Sequence, residues 1–262
     1  MSNSINKSHF LAVPTIGALL LALTSAAPAV TLVTPIGFGG TEGNTSSRAP
    51  LHRDALREQN LYGSSLFPAG LPLSITEIRY RRDSTFNASH SDTYTETFNA
   101  GDIEIWLSTT AVADDALSTT FANNIGANEL LVHDGPLTIN STDTSSLSPK
   151  PFDIIISLET PFVYDPSQGN LLVDFKISTA LPISGVEHDV VDAPGDGLSR
   201  VLFIGAFGDT SDPNAPVANL AQSVGPVTEF VFDVIPEPST TLLAVPALAV
   251  LALRRRRQGS KQ

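Results

Sequence analysis

The sequence predicts an all-β protein, and the expected architecture is an antiparallel β-sandwich of the jelly-roll type. Apolar and polar residues alternate with a period of two in several stretches, the pattern of strands with one buried face. Gly, Pro, Asp and Ser cluster between these stretches, and many short strands joined by turns favour a sandwich. The alternating stretches are residues 103–107, 152–158, 171–177 and 230–234.

Two strands depart from simple alternation. Residues 201–207 are apolar in both phases, which predicts a central strand covered on both faces. Near Ile75 the apolar phase slips by one residue. A β-bulge at Thr76 and Glu77 would account for the slip, because a bulge inserts one extra residue into one strand of a pair.

One short helix is expected, over residues 113–122. Asp114 or Asp115 could cap its first turn, and Leu117 and Phe121 lie four residues apart on one face. This combination of a capping side chain and helical spacing predicts a helix start.

The chain has no cysteine, so an exported domain cannot be held by disulfides and needs its own hydrophobic core. Residues 51–235 are long enough to form one such β-domain. Residues 30–50 are rich in Gly, Ser and Thr and are expected to form a flexible N-terminal arm.

The first 29 residues have the features of a secretory signal peptide. A polar start carrying Lys7 precedes a mostly apolar stretch over 10–23, and small residues follow. The A-x-A pattern at 27–29 places cleavage after Ala29, and Pro28 argues against cleavage after Ala27. Export would begin at the Sec translocon.

The last 27 residues contain three successive parts. Pro236, Glu237 and Pro238 form a stiff tripeptide that cannot be helical, and residues 241–253 are an uncharged apolar run. The run is short for a bilayer core, which usually needs about 20 apolar residues. A block of four cations follows, which the positive-inside rule holds on the cytoplasmic side: Arg254, Arg255, Arg256 and Arg257.

This end resembles the PEP-CTERM sorting signal of Gram-negative bacteria, which directs exported proteins to an exosortase. The resemblance implies a transient inner-membrane anchor, followed by transfer to the cell surface or the extracellular space. Two other interpretations are a permanent single-span anchor and a buried C-terminal helix. Four consecutive arginines disfavour the buried helix, because arginine is almost never fully buried without a partner.

The body resembles the secreted β-rich domains common among PEP-CTERM proteins. The resemblance covers most of residues 50–235 and rests on segments 61–67, 107–110, 115–126 and 152–172. It implies a sandwich fold and a place at the surface near exopolysaccharide. It supplies no catalytic residues.

The charge of the body excludes nucleic acid as a partner. The chain has 15 Lys and Arg against 27 Asp and Glu. Six of the cations lie in the two end segments, so residues 30–237 keep nine and carry a net charge of −18. Such a surface repels phosphate backbones and anionic lipid.

No catalytic motif stands out. The four histidines of the body are not spaced as metal ligands, and without cysteine there is no thiol chemistry. An acidic stretch offers a calcium site through Asp189, Asp192 and Asp196, since Ca²⁺ prefers carboxylate and carbonyl oxygens. Its spacing does not match an EF-hand loop, and the alternative is an ordinary solvated acidic loop.

Trp106 is the single Trp of the chain. The alternation puts it on the face of Asp102 and Glu104, opposite Ile103 and Ile105, so its ring is expected to be at least partly exposed. An exposed indole could stack on a sugar ring. The alternative is that a loop covers it.

Taken together, the sequence predicts a non-catalytic exported surface or matrix protein with no required cofactor. A carbohydrate-binding module is the first alternative, and a secreted enzyme acting on extracellular polymers is the second. The predicted partners are the translocon, an exosortase, the inner membrane and exopolysaccharide.

Overall fold

The computed structural model describes residues 29–51, 55–85, 94–142, 147–179, 187–205 and 212–235. All of the predicted signal peptide except Ala29, and the predicted sorting segment from residue 236, lie outside these ranges. In the described part every strand pairing is antiparallel, and the all-β prediction is confirmed. Its helical residues form short 3-10 helices at Phe38–Gly40, Ser64–Leu66, Phe121–Asn123 and Pro166–Gln168. No described helix has the length and apolar character that crossing a membrane requires.

Fifteen strands make up the described fold. In chain order they are β1 Val30–Thr34, β2 Thr45–Ser47, β3 Leu56–Tyr62, β4 Leu73–Tyr80, β5 Tyr94–Phe98, β6 Ile103–Thr110, β7 Leu130–His133, β8 Leu137–Ser141, β9 Ile154–Tyr164, β10 Asn170–Ile177, β11 His188–Asp192, β12 Leu198–Ile204, β13 Leu220–Gln222, β14 Val224–Pro226 and β15 Thr228–Val234.

Strand pairing divides these elements into four sheets. The four-stranded sheet has the order β1-β15-β4-β9, and the six-stranded sheet has the order β13-β12-β3-β10-β6-β7. A three-stranded sheet pairs β14-β11-β2, and β5 pairs with β8. The three-stranded sheet continues the four-stranded one, because the chain beyond β4 pairs with β11: the Asp189 N–H donates to the Arg81 carbonyl over 3.1 Å.

One hydrophobic core joins the four-stranded and six-stranded sheets. Period-two alternation explains how β6 contributes to it. Ile103, Ile105 and Leu107 are fully buried, while Glu104 and Trp106 on the other face are half-buried. The same cluster includes Ile78 of β4, Phe175 of β10 and Phe232 of β15.

The predicted bulge in β4 is confirmed. The register of β4 with β9 shifts between Ile75 and Glu77, and its register with β15 shifts at the same place. Thr76 is the extra residue, and its hydroxyl donates to the Val231 carbonyl over 3.2 Å.

Residues 30–50 do not form the expected arm. They supply β1, an edge strand of the four-stranded sheet, and β2, an edge strand of the three-stranded sheet. Val30 pairs with Phe232, and Ser47 pairs with His188. Each partner lies far along the chain, so the local composition of this segment did not show the pairing.

The helix expected over 113–122 is also absent. The segment makes a turn in which Asp115 has a φ of 56°, and only Phe121–Asn123 is a 3-10 helix. The carboxylates of Asp114 and Asp115 accept from Asn170 and from the Gly195 N–H instead of capping a first turn. Such a short helix is marginal in water, so tertiary contacts decide the conformation.

The strand predicted over 201–207 is β12, which ends at Ile204. It is an interior strand of the six-stranded sheet, paired with the edge strand β13 on one side and with β3 on the other. Both of its faces are covered around Val201 and Leu202, as expected. Phe207 lies outside the described residues.

Candidate functional site

Polar side chains enter the core where the three-stranded sheet faces the six-stranded sheet. Glu58 of β3 pairs in register with Leu202 and Phe175, and Asn60 pairs with Arg200. Paired residues of antiparallel strands share a face of the sheet. Glu58, Asn60 and Arg200 are therefore on the same face as the core residues Leu202 and Phe175.

Two further polar side chains face this region from the opposite sheets. Tyr80 of β4 and His188 of β11 are both fully buried, and their ring centroids lie 5.3 Å apart. We call Glu58, Asn60, Tyr80 and His188 the polar interior group.

The polar interior group makes few internal contacts. Both carboxylate oxygens of Glu58, both amide atoms of Asn60, the Tyr80 hydroxyl and both ring nitrogens of His188 are buried without a hydrogen bond of good geometry to other described residues. Glu58 and Asn60 are close enough to interact with each other, and so are Tyr80 and Tyr62. Leaving one such group unpaired costs about 1–3 kcal/mol, so native proteins rarely tolerate several together. This concentration of unpaired polar atoms is the most unusual feature of the described interior.

Arg200 connects the polar interior group to the surface. It is 8% exposed, and it donates from Nε and Nη2 to Gln222 Oε1 over 3.1 and 2.9 Å. Its Nη1 donates to the Ser47 hydroxyl over 2.8 Å and lies 3.9 Å from Glu58 Oε1. The guanidinium thus links Gln222 of β13 to Ser47 of β2 and lies next to the Glu58 carboxylate.

A cleft of about 400 Å³ opens between β2 and β12 at this point. We call it the inter-sheet cleft. Its charged and polar lining consists of Ser46, Ser47, Arg48, Glu187 and Arg200. Glu187 accepts from Ser46 Oγ over 2.6 Å and from Arg48 Nε over 3.0 Å, so its carboxylate is already bound.

Burial dominates the electrostatics of the polar interior group. It raises the pKa of Glu58, against the opposing effect of the Arg200 guanidinium. It lowers the pKa of His188 to about 3, which keeps the imidazole neutral at physiological pH. A neutral imidazole offers one donor and one acceptor.

The three predicted calcium ligands do not come together. Asp189 is fully buried and forms an ion pair with Arg81, whose Nη2 lies 2.6 Å from Asp189 Oδ2. Asp192 is exposed at the end of β11. Asp196 accepts from the Leu198 N–H in the following turn.

A different group of carboxylates has its oxygen atoms spaced closely enough to hold a metal ion. Ligand atoms of Glu42, Asp83 and Asp189 lie within 4.8 Å of one another. The buried Arg81 guanidinium already balances Asp189, and the Glu42 carboxylate accepts from the Ser84 N–H over 2.7 Å. The Gly43 N–H donates to Asp189 Oδ1 over 2.7 Å, and Arg81 Nη2 donates to the Thr41 carbonyl over 2.6 Å. The buried ion pair thus ties the chain around residue 42 to β11.

Trp106 lies on the outer face of the six-stranded sheet, half-buried, as the alternation predicts. Its Nε1 donates to Glu104 Oε2 over 2.9 Å, and Lys176 Nζ lies 4.9 Å from the centre of the indole ring. A sugar that stacks on this ring would need to displace or share the ammonium group. The carbohydrate role of Trp106 stays a prediction.

The sorting residues Pro236, Glu237, Pro238 and the arginines at 254–257 lie outside the described residues. Comparison of the chain with protein-family models, curated proteins and solved structures finds no match in any of the three. The site is therefore interpreted from its own geometry.

Sequence reasoning missed the polar interior group and Arg200. A signal was present in β3, whose inward positions alternate as Leu56, Glu58, Asn60 and Tyr62. Two adjacent polar residues at inward positions of a strand that is buried on both faces indicate a functional or structural polar site.

Proposed function

We propose that this protein is a non-catalytic exported surface or matrix protein, released through a C-terminal PEP-CTERM signal and associated with exopolysaccharide. The observation that carries the proposal is the succession of Pro236-Glu237-Pro238, an uncharged run and four arginines at one end of the chain. We further propose that its body is a β-sandwich of the jelly-roll type.

The limits of the body support this proposal. Among the described residues the first strand begins at Val30, directly after the predicted cleavage at Ala29, and the last strand ends at Val234, two residues before Pro236. Val30 pairs with Phe232, so both attachment points belong to one corner of the four-stranded sheet. Both processing steps would then act at the same corner of this sheet.

The chemistry of the tail suits recognition at the periplasmic side of the membrane. Pro236 and Pro238 lack an N–H and fix φ, so the tripeptide cannot join a helix or a central strand. The fixed backbone presents Glu237 at a defined angle to an exosortase. The arginines hold the end of the chain on the cytoplasmic side until cleavage.

The test is processing in a bacterial host that encodes an exosortase. Glu237→Ala should prevent recognition of the motif by the exosortase. Replacing the four arginines at 254–257 by serine should weaken the retention of the C-terminal end on the cytoplasmic side. Both variants should increase the amount of uncleaved chain in the membrane fraction, measured by mass spectrometry of tryptic peptides. Glu129→Ala changes an exposed glutamate of the body and should be processed normally.

The wild type supplies the decisive measurement. Peptides that run intact through Leu253 into the arginines, recovered from surface-located protein, would show that the tail is a permanent anchor. The sorting proposal would then be wrong.

Carbohydrate binding through the outer face of the six-stranded sheet is the second candidate. It is favoured by the half-exposed indole of Trp106 beside Glu104 and Lys176. A polysaccharide pull-down should then depend on Trp106, and Trp106→Ala should abolish capture. Equal capture by wild type and variant would exclude this face.

A further inference from the structure

Arg200 differs from the well-paired arginines of the body. Arg57, Arg79 and Arg81 each lie within 2.6–2.9 Å of a carboxylate oxygen. Arg200 instead forms a long ion pair with Glu58, whose Oε1 lies 3.9 Å from Arg200 Nη1. This distance is too long for a hydrogen bond. Its bonded partners, Gln222 and Ser47, are neutral.

The position of this cation suggests a ligand. Arg200 lines the inter-sheet cleft, and so does Arg48, whose charge is balanced by Glu187. The cleft volume of about 400 Å³ falls within the range of roughly 300–1,000 Å³ common for small-molecule sites. Arginine has five N–H donors, and the contacts with Gln222 and Ser47 use three of those of Arg200. A guanidinium with free N–H donors at a cleft wall is suited to a carboxylate, which it can hold through two parallel hydrogen bonds.

The polar interior group lies behind Arg200 and does not line the cleft. Asn60 is the register partner of Arg200, and Glu58 lies one pair further along the same inward face. Both are at most 1% exposed, and their side chains lie close to each other without a hydrogen bond of good geometry. Tyr80 and His188 present further unpaired donors and acceptors on the facing sheets. The groups that a ligand hydroxyl can reach are those of the cleft lining, where the Ser46 and Ser47 hydroxyls can both donate and accept.

We propose that the inter-sheet cleft binds a small organic carboxylate that also carries hydroxyl groups, such as a sugar acid. The carboxylate binds Arg200, and the hydroxyls bind the serine side chains of the cleft lining, Ser46 and Ser47. The site is separate from the sorting segment and from the face of Trp106, so it does not depend on the proposed function.

Isothermal titration of the full-length protein with D-glucuronate tests the proposal. D-Glucose is the matched neutral probe, and acetate is a carboxylate without hydroxyls. We expect glucuronate to bind and to exceed both of the other probes in affinity. Arg200→Gln should weaken glucuronate binding roughly 10- to 100-fold, the range for losing a charged hydrogen-bond pair.

Matched variants separate binding from folding. Arg79→Gln removes an arginine from the outer surface of the four-stranded sheet and should leave glucuronate affinity unchanged. If Arg200→Gln does not fold, Ser47→Ala and Gln222→Ala remove the groups that orient Arg200 and should each weaken binding several-fold in a folded protein.

The proposal is overturned if no probe binds, which would leave only ordered water in the cleft. It is also overturned if glucose binds as well as glucuronate, or if glucuronate affinity is the same in the Arg200, Ser47 and Gln222 variants as in wild type. If acetate binds as tightly as glucuronate, the ligand hydroxyls do not contribute to binding, and the proposed recognition of hydroxyls is wrong.

Discussion

Replacing His188 by leucine should make the protein less sensitive to acid. The imidazole is fully buried, and burial lowers its pKa from 6.5 to about 3. Between these two values the unfolded chain binds a proton that the folded chain does not. The free energy of unfolding therefore falls as the pH is lowered through this window, and the loss stops near the folded pKa.

The size of the effect follows from the pKa difference. A pH of about 5 lies roughly 1.5 units below the ordinary histidine pKa of 6.5. Acidification to this pH therefore lowers the free energy of unfolding by about 2 kcal/mol. Glu58 contributes with the opposite sign, because burial raises the pKa of its carboxyl. Its contribution is common to both proteins and cancels in the comparison. His188→Leu has little cost of its own near neutrality, since replacing an unpaired polar group by an apolar one of similar shape is close to neutral.

Urea unfolding followed by far-UV circular dichroism, at about pH 7 and about pH 5, measures this difference. Wild type should lose about 2 kcal/mol more than His188→Leu on acidification. Val190→Ala, a buried and non-titrating change on the same strand β11, should lose as much as wild type. If wild type and His188→Leu lose the same free energy, the imidazole is protonated in the folded state and the argument from burial fails.

Two further predictions concern the outer face of the six-stranded sheet. Asp174→Ala should destabilise the protein by about 3–5 kcal/mol in urea unfolding, because it leaves the buried Arg57 guanidinium without the carboxylate that it contacts at 2.8 Å. The exposed control Asp134→Ala should change stability by less than about 0.5 kcal/mol, and an equal effect of the two variants would contradict the ion-pair argument. Lys176→Ala should increase acrylamide quenching of Trp106 fluorescence, since the ammonium covers the ring at 4.9 Å; unchanged quenching would show that the ring face is shielded by something else.

Local patterns were sufficient to predict the strand content and the orientation of individual strands. The alternation of Ile103, Ile105 and Leu107 with Glu104 and Trp106 correctly placed the indole on the outer face. The phase slip likewise located the bulge of β4. These predictions succeed because a strand's side-chain period depends only on neighbouring residues and on which face is buried.

Local patterns failed where one side chain has a distant partner. The capping residues Asp114 and Asp115 bond to Asn170 and Gly195, so the expected helix does not form. Asp189 was assigned to a calcium site with its neighbours in sequence. Its ion-pair partner is Arg81, 108 residues away along the chain.

The sequence by itself determined the all-β class and the faces of the main strands, because each depends on composition or on short-range periodicity. Tertiary structure decided that residues 30–50 pair with β15 and β11, and that Glu58 and Asn60 lie behind Arg200. The physical reason is that register and burial are collective properties. A polar residue on a strand becomes a site only when opposing sheets remove it from water and bring unpaired groups from distant segments together.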